Sequence, residues 1–176
     1  MIRIAPQRFL GIIGGVALLG CASDFAADRS LRNVEFAPAE IAILEVEDRT
    51  SSERGLPNEV RTALVAQAVD SGFSPLSRTF VDAASINPDT PALGQAGVLR
   101  FRILSWTNIE FDEPVLSVRY HMTLHGEGVI LADILQSERL VVPPAQQNLA
   151  PRRRMGFLLE ILAERAFQKL PPPPSF

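Results

Sequence analysis

The sequence predicts an α/β sandwich: a single mixed sheet (βαβ, then a three-stranded antiparallel meander) with helices packed on one face. Three observations predict it. A β-branched apolar run at residues 41–46 precedes a stretch of helical period; three segments between residues 98 and 142 alternate apolar and polar positions in series; one long amphipathic stretch closes the chain. The 176 residues suit one domain. With 47% hydrophobic and 21% charged residues the usage is that of an ordinary globular chain.

Each element has its own warrant. Ile41 to Val46 is apolar without alternation, as expected of a central strand covered on both faces. Residues 48–52 read as a loop. Residues 56–71 read as a helix: Pro57 sits in the first turn, and Val60, Ala63, Leu64, Gln67 and Ala68 recur at helical spacing. Gly72 then supplies a left-handed terminus. Residues 73–81 are expected to form a second strand, and residues 85–96, with two prolines and a glycine, a loop.

Residues 98–107 place Leu99, Phe101 and Ile103 on one face and Arg100 and Arg102 on the other. Residues 115–125 alternate more cleanly, with Leu116, Val118, Tyr120, Met122 and Leu124 opposed to Ser117, Arg119, His121, Thr123 and His125. Gly126, Glu127 and Gly128 form a tight turn into residues 129–142, whose stretch from Gln136 to Arg139 is polar and expected to be exposed. Residues 152–170 form the closing helix, with Met155, Leu158, Leu159, Leu162, Ala166 and Leu170 on one stripe. Arg152, Arg153 and Arg154 crowd its start, where the helix dipole disfavours cations. Pro171 to Pro174 stop it and leave a solvated tail. Phe101, Tyr120 and Leu162 are expected to be buried, because the meander and the last helix need each other's apolar faces.

The first residues carry an address. Arg3 and Arg8 precede an apolar run at residues 9–19, which is 11 residues long. That is too short for the roughly 20 residues of a membrane-spanning helix. Leu18, Leu19, Gly20 and Cys21 follow in an order that resembles the lipobox of bacterial lipoproteins. The resemblance implies cleavage before Cys21, a thioether-linked diacylglycerol and an amide-linked acyl chain such as palmitate on that cysteine. It also implies outer-membrane sorting, since Ala22 rather than Asp follows. Several acyl chains at about 0.8 kcal/mol per buried CH₂ make such an anchor permanent. The expected organisation is a signal peptide over residues 1–20, a lipidated N-terminus and tether over 21–38, one domain over 39–170 and a Pro-rich tail over 171–176.

Glu47 to Thr50 at the end of a strand, and Ala96 to Trp106 in a later one, also resemble bacterial envelope lipoproteins. The similarity is to the curli-secretion lipoprotein, the penicillin-binding-protein activators, the lipopolysaccharide-assembly lipoprotein and a neisserial group of outer-membrane lipoproteins. In those groups an Asp usually stands where this chain has Gly97, and Glu127 to Leu131 stands for the closing motif. The resemblance implies a non-catalytic, periplasm-facing assembly or binding module for lipopolysaccharide transport, secretion or peptidoglycan-synthase regulation.

Composition excludes several chemistries. A net charge of -3 argues against a nucleic-acid partner. One cysteine and two histidines leave no material for a Cys-rich or His-based metal centre, and no cofactor is expected. His121 and His125 lie about 13 Å apart along a strand, too far to share one ion with or without Glu127. Ser51 and Ser52 lack a hydrolase elbow, and Gly11, Gly14 and Gly15 fall in the signal peptide. Asp48, Glu53, Asp112 and Glu113 are loop carboxylates in reach of an acid–base role only if the fold pairs them. Arg100, Arg102, Arg119, His121 and His125 form the candidate binding face, suited to an acidic envelope protein or an anionic glycan or lipid. The alternative expectation is a membrane-tethered periplasmic hydrolase or metal-dependent enzyme, which needs a deep pocket holding a buried carboxylate and a histidine.

Overall fold

Alternating apolar positions on three long strands build the scaffold on which everything else is placed. A computed structural model describes residues 28–29, 35–50, 55–85, 93, 96–109 and 115–174. Its elements are β1 (Asp28–Arg29), β2 (Glu40–Ile43), β3 (Glu47–Asp48), α1 (Leu56–Asp70), β4 (Ser74–Pro75), α2 (Arg78–Ser85), β5 (Gly97–Ile109), β6 (Val115–Gly126), β7 (Val129–Val141) and α3 (Pro151–Phe167). The strands form one mixed seven-stranded sheet in the order β1-β7-β6-β5-β2-β4, with β3 beside β5 beyond the end of β2. β5, β6 and β7 are the expected antiparallel meander. β2 and β3 run parallel to β5, and β4 runs parallel to β2. The turn between β6 and β7 has two residues, Glu127 at φ 50° and Gly128 at φ 78°, the doubly positive pattern that matches strand twist.

The apolar face of the sheet is covered by α1 and α3. Leu56, Val60, Leu64 and Ala68 of α1 join Leu158, Leu159, Leu162, Ala163 and Ala166 of α3 over Leu99, Phe101, Ile103, Leu116, Tyr120 and Met122. Phe101, Tyr120 and Leu162 are at most 1% exposed, as expected. Phe101 and Tyr120 stack with ring centroids 4.8 Å apart. Among the described residues Arg152 reaches only a distant Glu59 at 4.0 Å, an exposed pair that contributes little, while Arg154 donates to the Gln147 carbonyl at 3.2 Å.

Five features differ from the reading of the sequence. The second strand expected over residues 73–81 shrinks to Ser74–Pro75, and the chain turns into α2. Pro75 has no N–H to extend a ladder, and Ser77 starts the helix by accepting from the Val81 amide. The run at 41–46 is strand only to Ile43, whose carbonyl accepts two bonds from the buried Arg61 guanidinium at 3.0 and 2.8 Å. Two residues of the expected tether, Asp28 and Arg29, pair with Ile134 and Asp133 of β7, and Ala37 is buried. The expected solvated tail also takes part: the Pro172 carbonyl accepts from the Ala37 amide at 2.9 Å.

The last difference lies inside β5. Ile103 pairs with Tyr120, but Ser105 pairs with Arg119, so Leu104 is an extra residue, a β-bulge. Before it, odd-numbered residues face the core; after it, Trp106 packs against the core and Ser105 and Thr107 turn to the opposite face.

Candidate functional site

Among the described residues, α1 and α3 cover only one face of the sheet, and the other face carries the sequence-predicted candidates. Arg100 and Arg102 stand on β5, and Arg119, His121 and His125 on β6, in register across the two strands. The fold therefore brings all five to one surface, but it does not leave them equivalent. Arg102 donates to Glu47 through Nε at 2.8 Å and Nη2 at 3.3 Å, a two-pronged bond made possible because β3 lies in parallel register beside β5. This hydrogen bond holds the Glu47 carboxyl below its usual range, with Arg49 and Arg100 adding to it. His121 Nε2 lies 2.6 Å from Asp133 Oδ1. Burial, and then the Arg100 charge, push His125 below its ordinary value, which favours the neutral ring. This half of the face, toward the β6–β7 turn, has largely neutralised itself.

The half beyond the bulge, the upper half as against the lower half at the turn, is different. Two rows of residues cross the three strands there: Ser105, Arg119 and Ser137, then Thr107, Ser117 and Arg139. Each row holds one arginine and two hydroxyls, and the arginines sit on a diagonal. These residues line a shallow groove of about 360 Å³. Neither arginine has a salt bridge among the described residues. Glu138 lies between them in sequence but points to the other side, where its carboxylate meets Arg165 Nη1 at 2.9 Å. Reading the sequence picked out Arg119 and missed Arg139 and the four hydroxyls. The available signal was the broken alternation at Ile103, Leu104, Ser105 and Trp106.

The remaining candidates scatter. Cys21, Ser51, Ser52, Glu53, Asp112 and Glu113 lie outside the described residues. Asp48 Oδ1 accepts from the Thr50 amide at 2.7 Å and its hydroxyl at 2.6 Å, a local turn. His121 and His125 belong to no group of three or more potential metal ligands among the described residues. A cleft of about 720 Å³ beside the end of β2 is lined by Glu45, Glu47, Asp82 and Arg61. Its Arg61 is a clasp, tied to Ile43 and at 2.7 Å to Asp82, whose carboxyl it holds low. A second groove, of about 570 Å³, lies at the β6–β7 turn between Phe36, Pro38, Val129 and Leu131. No described helix is long and apolar enough to cross a membrane.

No protein-family model matches the chain, and no curated protein matches it. Solved structures do. The PelC dodecamer from Paraburkholderia phytofirmans superposes with a TM-score of 0.52 at 11% identity, over 80% of this chain and 94% of its own. A hypothetical protein from Chlamydia trachomatis gives 0.50 at 17% identity, over 76% and 96%. A lipoprotein, GNA1162 from Neisseria meningitidis, gives 0.48 at 11% identity, over 74% and 99%. At these identities the first two establish a shared fold: an open α/β sheet backed by helices, which by itself assigns no activity.

Proposed function

We propose that the chain is a lipid-anchored protein of the bacterial envelope, held at the outer membrane through Cys21, that binds an anionic envelope component through its open sheet face and performs no catalysis. The observation that carries this reading is the face itself. The face of β5, β6 and β7 that neither α1 nor α3 covers displays Arg100, Arg119 and Arg139, none of them in a salt bridge among the described residues. Surface arginines left without partners on a flat scaffold favour recognition of negative charge, with gains chiefly in association rate and specificity. The basic start, apolar run and sole cysteine of the N-terminus support the anchor. A role in assembling lipopolysaccharide-transport, secretion or peptidoglycan-synthesis machinery agrees with the resemblance of Glu47 to Thr50 and Ala96 to Trp106 to envelope lipoproteins.

Two measurements test it. Mass spectrometry of the mature N-terminus should find Cys21 acylated, and Cys21→Ser should release the protein from the membrane fraction or leave it uncleaved. The double variant Arg100→Glu with Arg119→Glu should fold by circular dichroism and lose its partner in a pull-down from the cell envelope. A folded variant that retains every partner at the wild-type level refutes the binding face.

A further inference from the structure

We infer that the groove beyond the β5 bulge is a binding site for a phosphate- or carboxylate-bearing sugar of an envelope glycan. The inference deepens the reading above and rests on it, because the groove occupies part of the same face.

The geometry is specific. Because Leu104 is extra, Ser105 and Thr107 leave the core side and complete a patch three strands wide. Arg119 and Arg139 sit on a diagonal of β6 and β7, with Ser105 and Ser137 flanking the first, Ser117 beside the second and Thr107 one strand further on. Adjacent strands stand about 4.8 Å apart and alternate residues about 7 Å apart, so both guanidinium groups reach one ligand group between them. A planar five-donor fork suits a phosphate or carboxylate, and two forks enclose it from both sides.

The hydroxyls decide between an acidic peptide and a glycan. The four side chains hold short donor–acceptor groups, and none makes a side-chain hydrogen bond within the described protein. An acidic peptide needs apolar pockets for its intervening side chains, whereas the groove offers only Val118 among polar neighbours. A sugar presents hydroxyls that both give and accept bonds, which serine and threonine match. The volume of about 360 Å³ accommodates one or two sugar rings. The other half of the face holds a smaller groove of about 250 Å³, in which Val98, Arg100 and His125 stand without a hydroxyl, and its Arg102 and His121 are already engaged with Glu47 and Asp133. A β-bulge that re-aims side chains beside a site is a recurrent device.

The test uses the full-length lipidated chain in a zwitterionic detergent. Binding is read by isothermal titration calorimetry. The probes are glucose 6-phosphate, glucose, inorganic phosphate and a hexaglutamate peptide. Glucose 6-phosphate should bind about tenfold more tightly than any other probe, a difference of one well-made interaction. Arg139→Gln and Ser117→Ala with Ser137→Ala should each weaken it about tenfold, with unfolding midpoints unchanged. Arg119→Lys with Arg139→Lys keeps the charge and should still lose the preference for the sugar phosphate. Equal binding of hexaglutamate, equal binding of bare phosphate, or no response to glucose 6-phosphate at millimolar concentration each overturn the inference. If these titrations fail while Arg100→Glu with Arg119→Glu still loses the envelope partner, the site is wrong and the binding face stands. If the pull-down is also unaffected, both fall.

Discussion

The two halves of the open face use the same residue types in the same alternation, yet one ties up most of its charge, Arg100 excepted, and the other does not. Toward the β6–β7 turn, Arg102 is held by Glu47 and His121 by Asp133, while burial and Arg100 keep His125 neutral. Beyond the bulge, Arg119 and Arg139 stand among hydroxyls with no salt-bridge partner among the described residues. The difference teaches that basic residues on a strand are not yet a basic surface. Whether a cation is available depends on what the neighbouring strand puts opposite it, and that is a matter of register.

Deleting Leu104 breaks the comparison outright. Without the extra residue, the alternation of β5 would drive Ser105 and Thr107 into the core and Trp106 out of it, erasing the upper half. A one-residue slip of this kind should cost more than about 4 kcal/mol or prevent folding, read by urea denaturation. Phe101→Ala removes the stacked partner of Tyr120 beneath the lower half and should cost about 3–5 kcal/mol. Hydrogen exchange should show both halves weakening together, because they share one core; protection lost in one half alone contradicts that.

Acid separates the halves more gently. His125 and Glu47 both have folded values below their ordinary 6.5 and 4.5. For each, the unfolded chain takes up protons first as pH falls, so the stability they contribute is complete above the ordinary value and is lost on acidification. The urea midpoint should decline first below about pH 6.5 and again below about 4.5. His125→Gln should remove the first decline, and the upper-half variant Arg139→Gln should leave both in place. The smallest effects come from the charges themselves. Glu47→Gln should cost at most about 1 kcal/mol, since the pair is half exposed. Arg119→Gln should stay within about 0.5 kcal/mol, as expected of a surface side chain with no partner to lose.

Much of the fold was legible because period is a local property. Alternation in β6 and helical spacing in α1 and α3 named the buried residues before any coordinates. What escaped was non-local. Nothing near Arg102 in sequence announces Glu47, which arrives through the parallel pairing of β3 with β5. The expected strand over residues 73–81 failed for the opposite reason: Ser77 and the proline before it act locally, and an apolar count overrode them. Arg139 was passed over because its polar neighbours Gln136, Ser137 and Glu138 made the whole stretch read as simply wet. The strand register sends alternate members of that stretch to opposite faces.

The bond from the Ala37 amide to the Pro172 carbonyl ties the beginning of the domain to its final residues. Pro173 also lies against the turn at Gly72, so the tail closes over the end of α1 as well as over the entry to β2. The central parallel pairing of β2 with β5 already demands contacts distant in sequence, which slows folding. Docking of residues 172 and 173 adds a further set of contacts distant in sequence. Clipping it after Leu170 would leave the Ala37 amide unpaired in a buried position. Residues 172 and 173 are thus a latch across the entry to β2 and the end of α1.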